Sequence, residues 1–387
     1  MAIYLDHNAG SPLRPEVREA IVAALDAGAG NPSSVHRRGQ RARRLLEDAR
    51  RQVAVLIGAQ PGQIVFCSGG TEANNLAIAG AVAARAGRRR VVTSSIEHSS
   101  ILKPLERLES GDVEVIRAAP DRQGRLHPGE IAPLVDSGTA LVSLGLANSE
   151  VGTIQDLAPM AAAVHAAGAV FHVDAAQALG RMALDVAQLG CDLMTLSGHK
   201  IGAPAGIGAL FVRHPTAIVP QLAGGPQEHG LRAGTQNLIG AIAFGAAAAA
   251  VRARLDEEIT RLAQLRDTML TRLMAAIPGL TPNSPAERVL PNTLNLAFPG
   301  VLGETMLIAL DLEGVEVSMG SACAAGAVEP SHVLLAMGRS TEVARSSLRI
   351  SLGWSTTAAE VERACAIIVA VWRRIAHPDN RSAVGAS

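Results

Sequence analysis

The segment Gln63-Ile-Val-Phe-Cys-Ser-Gly-Gly-Thr-Glu72 decides the fold class, because it joins two kinds of secondary structure. Its first five residues form a short apolar run typical of a buried strand, and an Ala-rich helical segment follows over 71–86. The Ser-Gly-Gly-Thr turn places backbone N–H groups at a helix N-terminus, which suits a phosphate. The turn lacks the G-K-[ST] of a P-loop, and an ordinary capped strand–helix turn would look the same.

The same order of a short apolar run and a longer helical segment repeats on both sides of this turn. Together with 63–67, apolar runs lie at 91–94, 113–118, 140–146, 170–173, 193–196 and 209–212, and further helical segments at 15–27, 41–57 and 154–167. This alternation predicts an α/β fold with βαβ units around a mainly parallel sheet.

The last third of the chain has a different pattern. A long helix is predicted from about 246 to 277, prolines follow it, and short strands and helices then mix in an α+β arrangement. We therefore predict a large domain over 15–260 and a smaller domain formed by 261–387 together with 1–14.

The composition excludes several classes of protein. The 387 residues carry 35 basic and 35 acidic side chains, and 48% are hydrophobic but only 2% aromatic. A net charge of zero argues against a nucleic-acid partner, and the apolar content argues against disorder. The longest apolar stretch, 238–251, is Ala- and Gly-rich and shorter than the roughly 18–20 residues that span a bilayer, so we predict a buried or interfacial helix and no membrane partner.

The cysteines and the first residues indicate a cytoplasmic protein. Cys67, Cys191, Cys323 and Cys365 are far apart, with no C-x-x-C pair and no zinc spacing, so we expect reduced thiols and no metal site. The start of the sequence has no basic segment followed by an apolar run, which argues against a secretory signal.

The segment 37–51 contains seven arginines. It is interpreted as a solvated helix face, with a docking surface for an acidic partner protein as the alternative.

Two more candidate residues follow apolar runs. Asp174 ends the run at 170–173, where open α/β sheets place ligands, although a helix N-cap has the same position. Lys200 follows the run at 193–196 among glycines; it is either a surface lysine or a buried amine able to form a Schiff base. A phosphate-binding turn, an acid for a pyridinium nitrogen and a Schiff-base lysine are together what pyridoxal 5'-phosphate (PLP) requires.

The chain also resembles a known family, the cysteine desulfurases of the NifS/IscS type, which are class V aminotransferase-family enzymes of PLP fold type I. The resemblance runs from residue 3 to about 375. It rests on Tyr4-Leu-Asp-His-Asn-Ala9, Gly30-Asn-Pro-Ser-Ser-Val-His36, Ser68-Gly-Gly-Thr-Glu72, Glu97-His98, Asp174-Ala-Ala-Gln177, Ser197-Gly-His-Lys200, Arg232-Ala-Gly-Thr235, Gly320-Ser-Ala-Cys323, Glu329-Pro-Ser331 and Leu348-Arg-Ile-Ser-Leu-Gly353. It implies a seven-stranded sheet in the large domain.

The resemblance implies a role for each site residue. Lys200 would carry PLP and move a proton, Asp174 would pair with the pyridinium nitrogen, and His98 would stack on the ring and assist proton transfer. Gln177 would bind the ring oxygen, and Arg349 the substrate carboxylate. Gly70, Thr71, Ser197 and His199 would hold the phosphate, Thr235 would reach the phosphate of a second subunit in a homodimer, Asn148 or Ser149 would contact the cofactor, and Asn8 would line the substrate side.

Cys323 is the residue that distinguishes this family. It lies in a run of small residues that we expect to move easily, so that the thiol can enter and leave the site. The implied function is removal of sulfur from L-cysteine to give L-alanine and a persulfide on Cys323, for transfer to an iron–sulfur scaffold or a thiolation protein. The alternatives are a selenocysteine lyase, another class V aminotransferase-family enzyme, or a non-catalytic scaffold. The sequence lacks the C-terminal tail with which housekeeping members contact their scaffold, so the sulfur acceptor stays open.

Overall fold

A computed structural model describes residues 2–28, 30–85, 87–320 and 329–377. Cys323, the predicted nucleophile, lies outside the described residues. The strands are β1 (Ile3–Tyr4), β2 (Ile64–Cys67), β3 (Arg90–Ser94), β4 (Glu114–Ala118), β5 (Thr139–Gly145), β6 (Val170–Asp174), β7 (Leu193–Ser197), β8 (Gly208–Val212), β9 (Thr281–Pro282), β10 (Thr293–Ala297), β11 (Val315–Glu316) and β12 (Ser347–Ser351).

The α-helices alternate with the strands of the first part of the chain and are mixed with those of the last part. They are α1 (Pro15–Asp26), α2 (Arg37–Leu56), α3 (Gly70–Ala83), α4 (Ser99–Glu109), α5 (Pro128–Ile131), α6 (Ala158–Ala166), α7 (Val186–Leu189), α8 (Leu238–Ala276), α9 (Gly303–Leu312), α10 (His332–Ala336), α11 (Thr341–Arg345) and α12 (Ala358–Ala376).

Seven strands form the central sheet, in the order β2-β8-β7-β6-β5-β3-β4. Neighbouring strands from β4 to β7 are parallel, and β8 runs antiparallel to both β7 and β2. Strands β5, β6, β7 and β8 are buried along almost their whole length, because helices cover both faces of the sheet. The predicted mainly parallel, seven-stranded α/β fold is confirmed.

The helices form a layer on each face of this sheet. On one face, α1, α2, α6 and the first half of α8 contribute to a core that includes Leu46, Met160 and Phe244. On the other face, α3 and α4 pack through residues such as Leu76 and Leu105. This three-layer arrangement leaves the carboxyl ends of the strands open for a site.

Helix α8 begins at Leu238, eight residues before the predicted start. Gly240 and Gly245 lower the helix propensity of this stretch, but Gly245 is needed for close packing, because a Cβ there would lie 2.6 Å from the Cα of Ala49 in α2. The helix is interrupted at Arg254, whose φ is −132°. By length and apolar composition α8 would be able to cross a membrane, and half of its most apolar window is buried within the protein.

The predicted helix at 154–167 also starts elsewhere, at Ala158. Thr153 and Ile154 form bridges with Val289 and Ala147 and are therefore extended, and Pro159 in the first turn favours a helix start at this point.

A second core surrounds two small sheets. Strands β12, β10 and β9 form an antiparallel sheet, and β1 pairs in parallel with β11. Ile3 and Leu5 join this core together with Leu262 and Leu273 from the second half of α8. The division of the chain into domains near residue 260 stays a prediction.

Candidate active site

A cavity of about 840 Å³ opens at the carboxyl ends of the sheet strands, where α/β proteins bind ligands. It is lined by almost every predicted site residue of the described chain, namely Asn8, Gly70, Thr71, His98, Asn148, Asp174, Gln177, Ser197, His199, Lys200 and Arg349. Their positions in the sequence are far apart, so the fold brings them together.

The N-terminus of α3 forms one end of the cavity. No side chain caps the backbone N–H groups of its first turn, which includes Gly70 and Thr71. Ser197 and His199 lie alongside, with 3.0 Å between Oγ and Nδ1, and a Cβ on Gly70 would come 3.4 Å from that of Ser197. Burial lowers the pKa of His199 to about 4, with the nearby charge of Lys200 acting in the same direction. This arrangement of N–H groups and small side chains is suited to a phosphate.

Asp174 lies at the end of β6 with both carboxylate oxygens bonded. Oδ2 accepts a hydrogen bond from Asn74 Nδ2 at 2.8 Å, and Oδ1 accepts one from the backbone N–H of Ala176 at 2.9 Å. Asn74 also donates to Ser100 Oγ. These bonds hold a buried carboxylate in one orientation, as a partner for a cationic ring nitrogen requires.

His98 lies at the N-cap of α4 and lines the cavity. Its Nδ1 accepts a hydrogen bond from the backbone N–H of Ser100 at 3.1 Å, so the neutral ring carries its proton on Nε2. Burial lowers the pKa of His98. The charge of Asp174 opposes this shift, whereas the charges of Lys200 and His332 act in the same direction as burial. The imidazole is therefore uncharged at neutral pH.

Lys200 follows β7 and is mostly buried. Its Nζ donates to the backbone carbonyl of Ala9 at 3.1 Å and to that of Asn8. Burial and the positive charges of Arg181 and Arg349 together lower its pKa to about 7, against the opposing effect of the negative charges of Asp6 and Asp174. Much of this amine is therefore uncharged near neutral pH, which a nucleophile or base requires.

Asn8 lines the cavity through its backbone. Its side chain donates to Ser149 O at 3.0 Å and Thr293 Oγ1 at 2.9 Å, and its Oδ1 accepts from Asn292 at 3.1 Å. Its carbonyl accepts hydrogen bonds from Lys200 and from Gln177 Nε2. The Asn8 side chain is thus occupied by contacts within the protein, and its backbone carbonyl orients two of the predicted cofactor ligands.

Asn148 and Ser149 both line the cavity. The Asn148 side chain donates to Ile96 O and accepts from the backbone N–H groups of Glu150 and Val151, so it stabilises its own turn. Which of the two contacts the cofactor stays a prediction.

Arg349 projects from β12 into the cavity. Its Nη2 donates to Asp6 Oδ1 at 2.6 Å, and its Nη1 donates to the backbone carbonyls of Ser149 and Gly320. Among residues 2–28, 30–85, 87–320 and 329–377, its buried Nε has no hydrogen-bond partner. This buried guanidinium is a suitable partner for a substrate carboxylate.

Sequence reasoning missed four residues that shape the site. Asp6 pairs with Arg349, and Asn74 orients Asp174. Arg181 is fully buried and donates to Gln177 and to the carbonyl of His7. Glu97 lines the cavity and accepts from Ser94 and Gly145, and burial raises its pKa to about 7. Asp6 and Glu97 lie within the family motifs Tyr4–Ala9 and Glu97-His98. For Asn74 and Arg181 the sequence offers no indication of a role except that a polar side chain lies in an apolar segment.

Thr235 is the predicted cofactor ligand that does not line the cavity of its own chain. It lies in an exposed segment that is tied to α3 by the ion pair between Arg232 and Glu72, at 2.9 Å. Its predicted role toward a second subunit stays a prediction.

Cys67, Cys191 and Cys365 are buried free thiols. Burial raises the pKa of each, to about 12 for Cys191 and about 11 for Cys365. These three thiols are therefore protonated and poorly nucleophilic at neutral pH.

The arginine-rich helix α2 exposes six of its seven arginines, Arg37, Arg38, Arg41, Arg43, Arg44 and Arg51. Arg50 departs from the expected solvated face: it is buried, and it donates to both oxygens of Glu228 at 2.7 and 2.9 Å.

The cavity residues fit PLP. The uncapped α3 N-terminus with Ser197 and His199 would hold its phosphate, Asp174 its ring nitrogen, and Lys200 its aldehyde. A phosphate site, an oriented carboxylate and a lysine whose pKa is lowered to about 7, in one cavity on this sheet, define a PLP enzyme of fold type I.

Comparison with known proteins leads to the same class. The family described as Aminotransferase class-V matches residues 3–364. A protein of Dictyoglomus turgidum named cysteine desulfurase IscS is 41% identical over 356 residues, which cover 92% of this chain and 90% of that protein. A solved structure of a NifS-like protein is 33% identical with a TM-score of 0.90, and it covers 96% of this chain and 99% of its own.

A third match is a structure described as SspA in complex with cysteine, with 31% identity, a TM-score of 0.80 and coverage of 90% and 98% of the two chains. The chain belongs to the class-V aminotransferase family, whose cofactor is PLP, and relatives about 40% identical to it are named cysteine desulfurase.

Proposed function

We propose that this chain is a cysteine desulfurase, which removes sulfur from L-cysteine, releases L-alanine and carries the sulfur on Cys323. One observation supports this most: Lys200, Asp174, His98 and Arg349 line a single cavity at the carboxyl ends of the strands. The relatives named cysteine desulfurase, and the solved structure with cysteine, supply the substrate.

Each cavity residue has a task in this reaction. PLP, when bound, supplies an aldehyde for the substrate amine and a ring that accepts electrons from the substrate carbon. Arg349 binds the substrate carboxylate through its charged N–H groups. Lys200, with its pKa lowered to about 7, takes the proton from the substrate Cα and returns it. His98, uncharged and with its proton on Nε2, assists proton transfer beside it.

Cys323 performs the sulfur transfer. Its thiolate forms a bond to the substrate sulfur, and the bond between that sulfur and carbon breaks. The electron pair of the broken bond remains with the substrate-derived fragment, which takes up protons and leaves as alanine. The product on the enzyme is a persulfide.

The test replaces Cys323 with Ser. We expect the variant to bind PLP and show its yellow absorbance, but to release no alanine from cysteine. The matched control is Cys365→Ala, because Cys365 is a buried thiol in the second core and should retain turnover. Alanine release by the Cys323→Ser variant at the wild-type rate would reject the proposal.

Product analysis separates the alternatives. Turnover of L-selenocysteine but not L-cysteine would identify a selenocysteine lyase, and amino-group transfer to a keto acid would identify an aminotransferase. Purified protein that binds no PLP would favour a non-catalytic scaffold. We expect alanine and protein-bound sulfur from L-cysteine.

The sulfur acceptor is proposed to be an iron–sulfur cluster scaffold or a thiolation protein. The relative named IscS supports a protein acceptor. Incubation of the enzyme with ³⁵S-cysteine and each candidate acceptor should transfer the label to one of them. Label that remains on Cys323 in the presence of both candidates would contradict this proposal.

We also propose a cytoplasmic homodimer. The exposed position of Thr235, outside its own cavity, supports a contribution to a second subunit. Reduced thiols such as Cys67 and Cys191 are typical of the cytoplasm. Sedimentation equilibrium should give twice the chain mass, and Thr235→Ala should weaken PLP binding; a monomer of full activity would exclude this assembly.

A further inference from the structure

Arg349 has a counter-ion inside the cavity. Its side chain is only 5% exposed, so its charge is largely removed from water and needs an opposite charge nearby. Within residues 2–28, 30–85, 87–320 and 329–377, the only carboxylate paired with it is Asp6. The other acceptors of the guanidinium are the uncharged carbonyls of Ser149 and Gly320.

The backbone around Asp6 is held independently of its side chain. Asp6 forms a bridge with Ser351, whose backbone N–H donates to Leu5 O at 2.7 Å and whose carbonyl accepts from His7 at 3.1 Å. The hydroxyl of Tyr4 donates to the carbonyl of Asp6 at 3.0 Å. The carboxylate therefore contributes charge to the cavity more than it contributes to the fold.

The Asp6 carboxylate is also accessible to a ligand. The side chain is 20% exposed and lines the cavity, and Oδ1 is the oxygen bonded to Arg349. In the described parts of the chain, Oδ2 has no hydrogen-bond donor. A ligand carboxylate that approaches Arg349 meets this negative charge, whereas a ligand ammonium meets an acceptor.

We propose that Asp6 is a specificity-determining residue that competes with ligand carboxylates for Arg349 and thereby selects zwitterionic amino acids over simple carboxylic acids. A ligand with net negative charge is repelled by the Asp6 carboxylate, and it has no positive group to offset that repulsion. An α-amino acid brings an ammonium group that does offset it. The same competition shortens the stay of the product carboxylate. This inference rests on the proposed function, in which Arg349 binds the substrate carboxylate.

The Asp6 charge also acts on Lys200. Among the groups that shift the pKa of this lysine, Asp6 raises it and Arg349 lowers it. Removing the Asp6 charge should therefore lower the pKa of Lys200 below about 7, which a purely structural role of Asp6 would not do.

The experiment uses propionate, the carboxylic acid that alanine becomes without its amino group. Its inhibition constant against L-cysteine turnover is measured for the loaded enzyme, and its effect on Tm for the cofactor-free protein. Asp6→Asn keeps the size and an acceptor oxygen but removes the charge. We expect this variant to bind propionate about 5- to 20-fold more tightly, because a like charge near the ligand is gone.

Two further variants serve as controls. Asp6→Glu retains the charge and should bind propionate with an affinity closer to that of the wild type. In an Arg349→Gln background, Asp6→Asn should raise propionate affinity by a smaller factor, because the competition for the arginine is gone and only the like-charge repulsion remains to be removed. The inference would be overturned if Asp6→Asn bound propionate no more tightly than the wild type. A third variant, Asp6→Ser, guards against a folding defect of Asp6→Asn. If only Asp6→Glu folded, and neither Asp6→Asn nor Asp6→Ser did, the charge would be needed for the fold and the inference would also be overturned.

The two proposals fail in different ways. Propionate binding to the cofactor-free protein does not require desulfuration, so a loss of the proposed activity leaves this readout intact. Conversely, alanine release from cysteine by the wild-type protein is independent of whether Asp6→Asn gains affinity for propionate.

Discussion

At the scale of single residues, the character of the site depends on how charges are placed around Lys200. Burial and two arginines, Arg181 and Arg349, lower its pKa, while Asp6 and Asp174 oppose them. The outcome, a pKa of about 7, combines burial with the charges of groups from three separate parts of the chain, around residues 6, 174–181 and 349. An amine of this kind is largely unprotonated at the pH at which ordinary lysines are charged.

This pKa can be tested because the chain contains only two lysines, Lys103 and Lys200. We expect reductive methylation of the cofactor-free protein at pH 7 to modify Lys200 preferentially. Its labelling rate should rise with pH around a midpoint of about 7, because the neutral amine reacts and the fraction of it grows as pH passes the pKa. Mass spectrometry of the two peptides measures both rates.

Lys103 is the internal control, since it is exposed and paired with Glu106. Its labelling rate is measured in the same samples at each pH. Equal pH profiles for the two lysines would contradict the lowered pKa of Lys200.

At the scale of elements, the phosphate-binding end of the cavity depends on the close approach of β8 to the turn before α3. A Cβ on Gly208 would lie 2.7 Å from the backbone carbon of Gly69 and equally close to the carbonyl of Leu196. Only glycine permits this spacing, because these neighbours are backbone atoms. The strand thus positions the N-terminus of α3 against Ser197.

We therefore expect Gly208→Ala to weaken PLP binding. The added methyl group displaces the turn at Gly69 and costs about 1–3 kcal/mol, as overpacking usually does. If the free energy of PLP binding falls by the same amount, the Kd for PLP rises about tenfold for each 1.4 kcal/mol. Equilibrium dialysis followed by absorbance measures the PLP retained.

Gly62→Ala is the matched control, because no atom lies within 4 Å of a Cβ at Gly62. It should retain PLP as the wild type does. If Gly208→Ala held PLP equally well, the close approach of β8 would have no part in positioning the phosphate site.

At the scale of the whole molecule, the N-terminal segment joins the two cores at the cavity. Ile3 and Leu5 belong to the second core, while Arg14 pairs with Glu258 of α8 through both guanidinium nitrogens at 2.8 Å. Between them, Asn8 bonds to the strand β10 residue Thr293 and to Ser149. The N-terminal segment therefore contacts both cores, and it holds the backbone carbonyl of Asn8, which accepts hydrogen bonds from Lys200 and Gln177.

Replacing Asn8 with Ala should destabilise the protein. The change removes three buried side-chain hydrogen bonds and leaves their partners unsatisfied, at a cost of about 2–4 kcal/mol. In a chain of this size the expected fall in Tm is roughly 3–5 °C. Differential scanning calorimetry of the cofactor-free protein measures it.

Asn75→Ala provides the comparison, because Asn75 is exposed on α3 and makes one hydrogen bond, to Thr71 O. The gain in helix propensity from Ala offsets that bond, so its Tm should change by about 1 °C or less. Equal Tm values for the two variants would show that Asn8 does not join the cores.

The sequence by itself determined the α/β class and the seven strands of the central sheet, and it supplied candidate cofactor-binding residues whose roles stay predictions. These features are encoded locally: an apolar run, a glycine turn and a helix start lie next to one another in the chain, Asp174 is the last residue of β6, and Lys200 lies three residues after the end of β7. The early start of α8 was not predictable in this way, because Gly245, which weakens an isolated helix, is required for its contact with Ala49.

Only the tertiary structure decided the charge balance of the site. The pairing of Asp6 with Arg349 joins residues 343 positions apart, and Asn74 of helix α3 reaches Asp174 at the end of strand β6, 100 positions away. No periodic or local pattern specifies such contacts, because they arise when separate elements pack against each other. The physical reason is that a pKa or an ion pair depends on distance and burial, which exist only once the chain has folded.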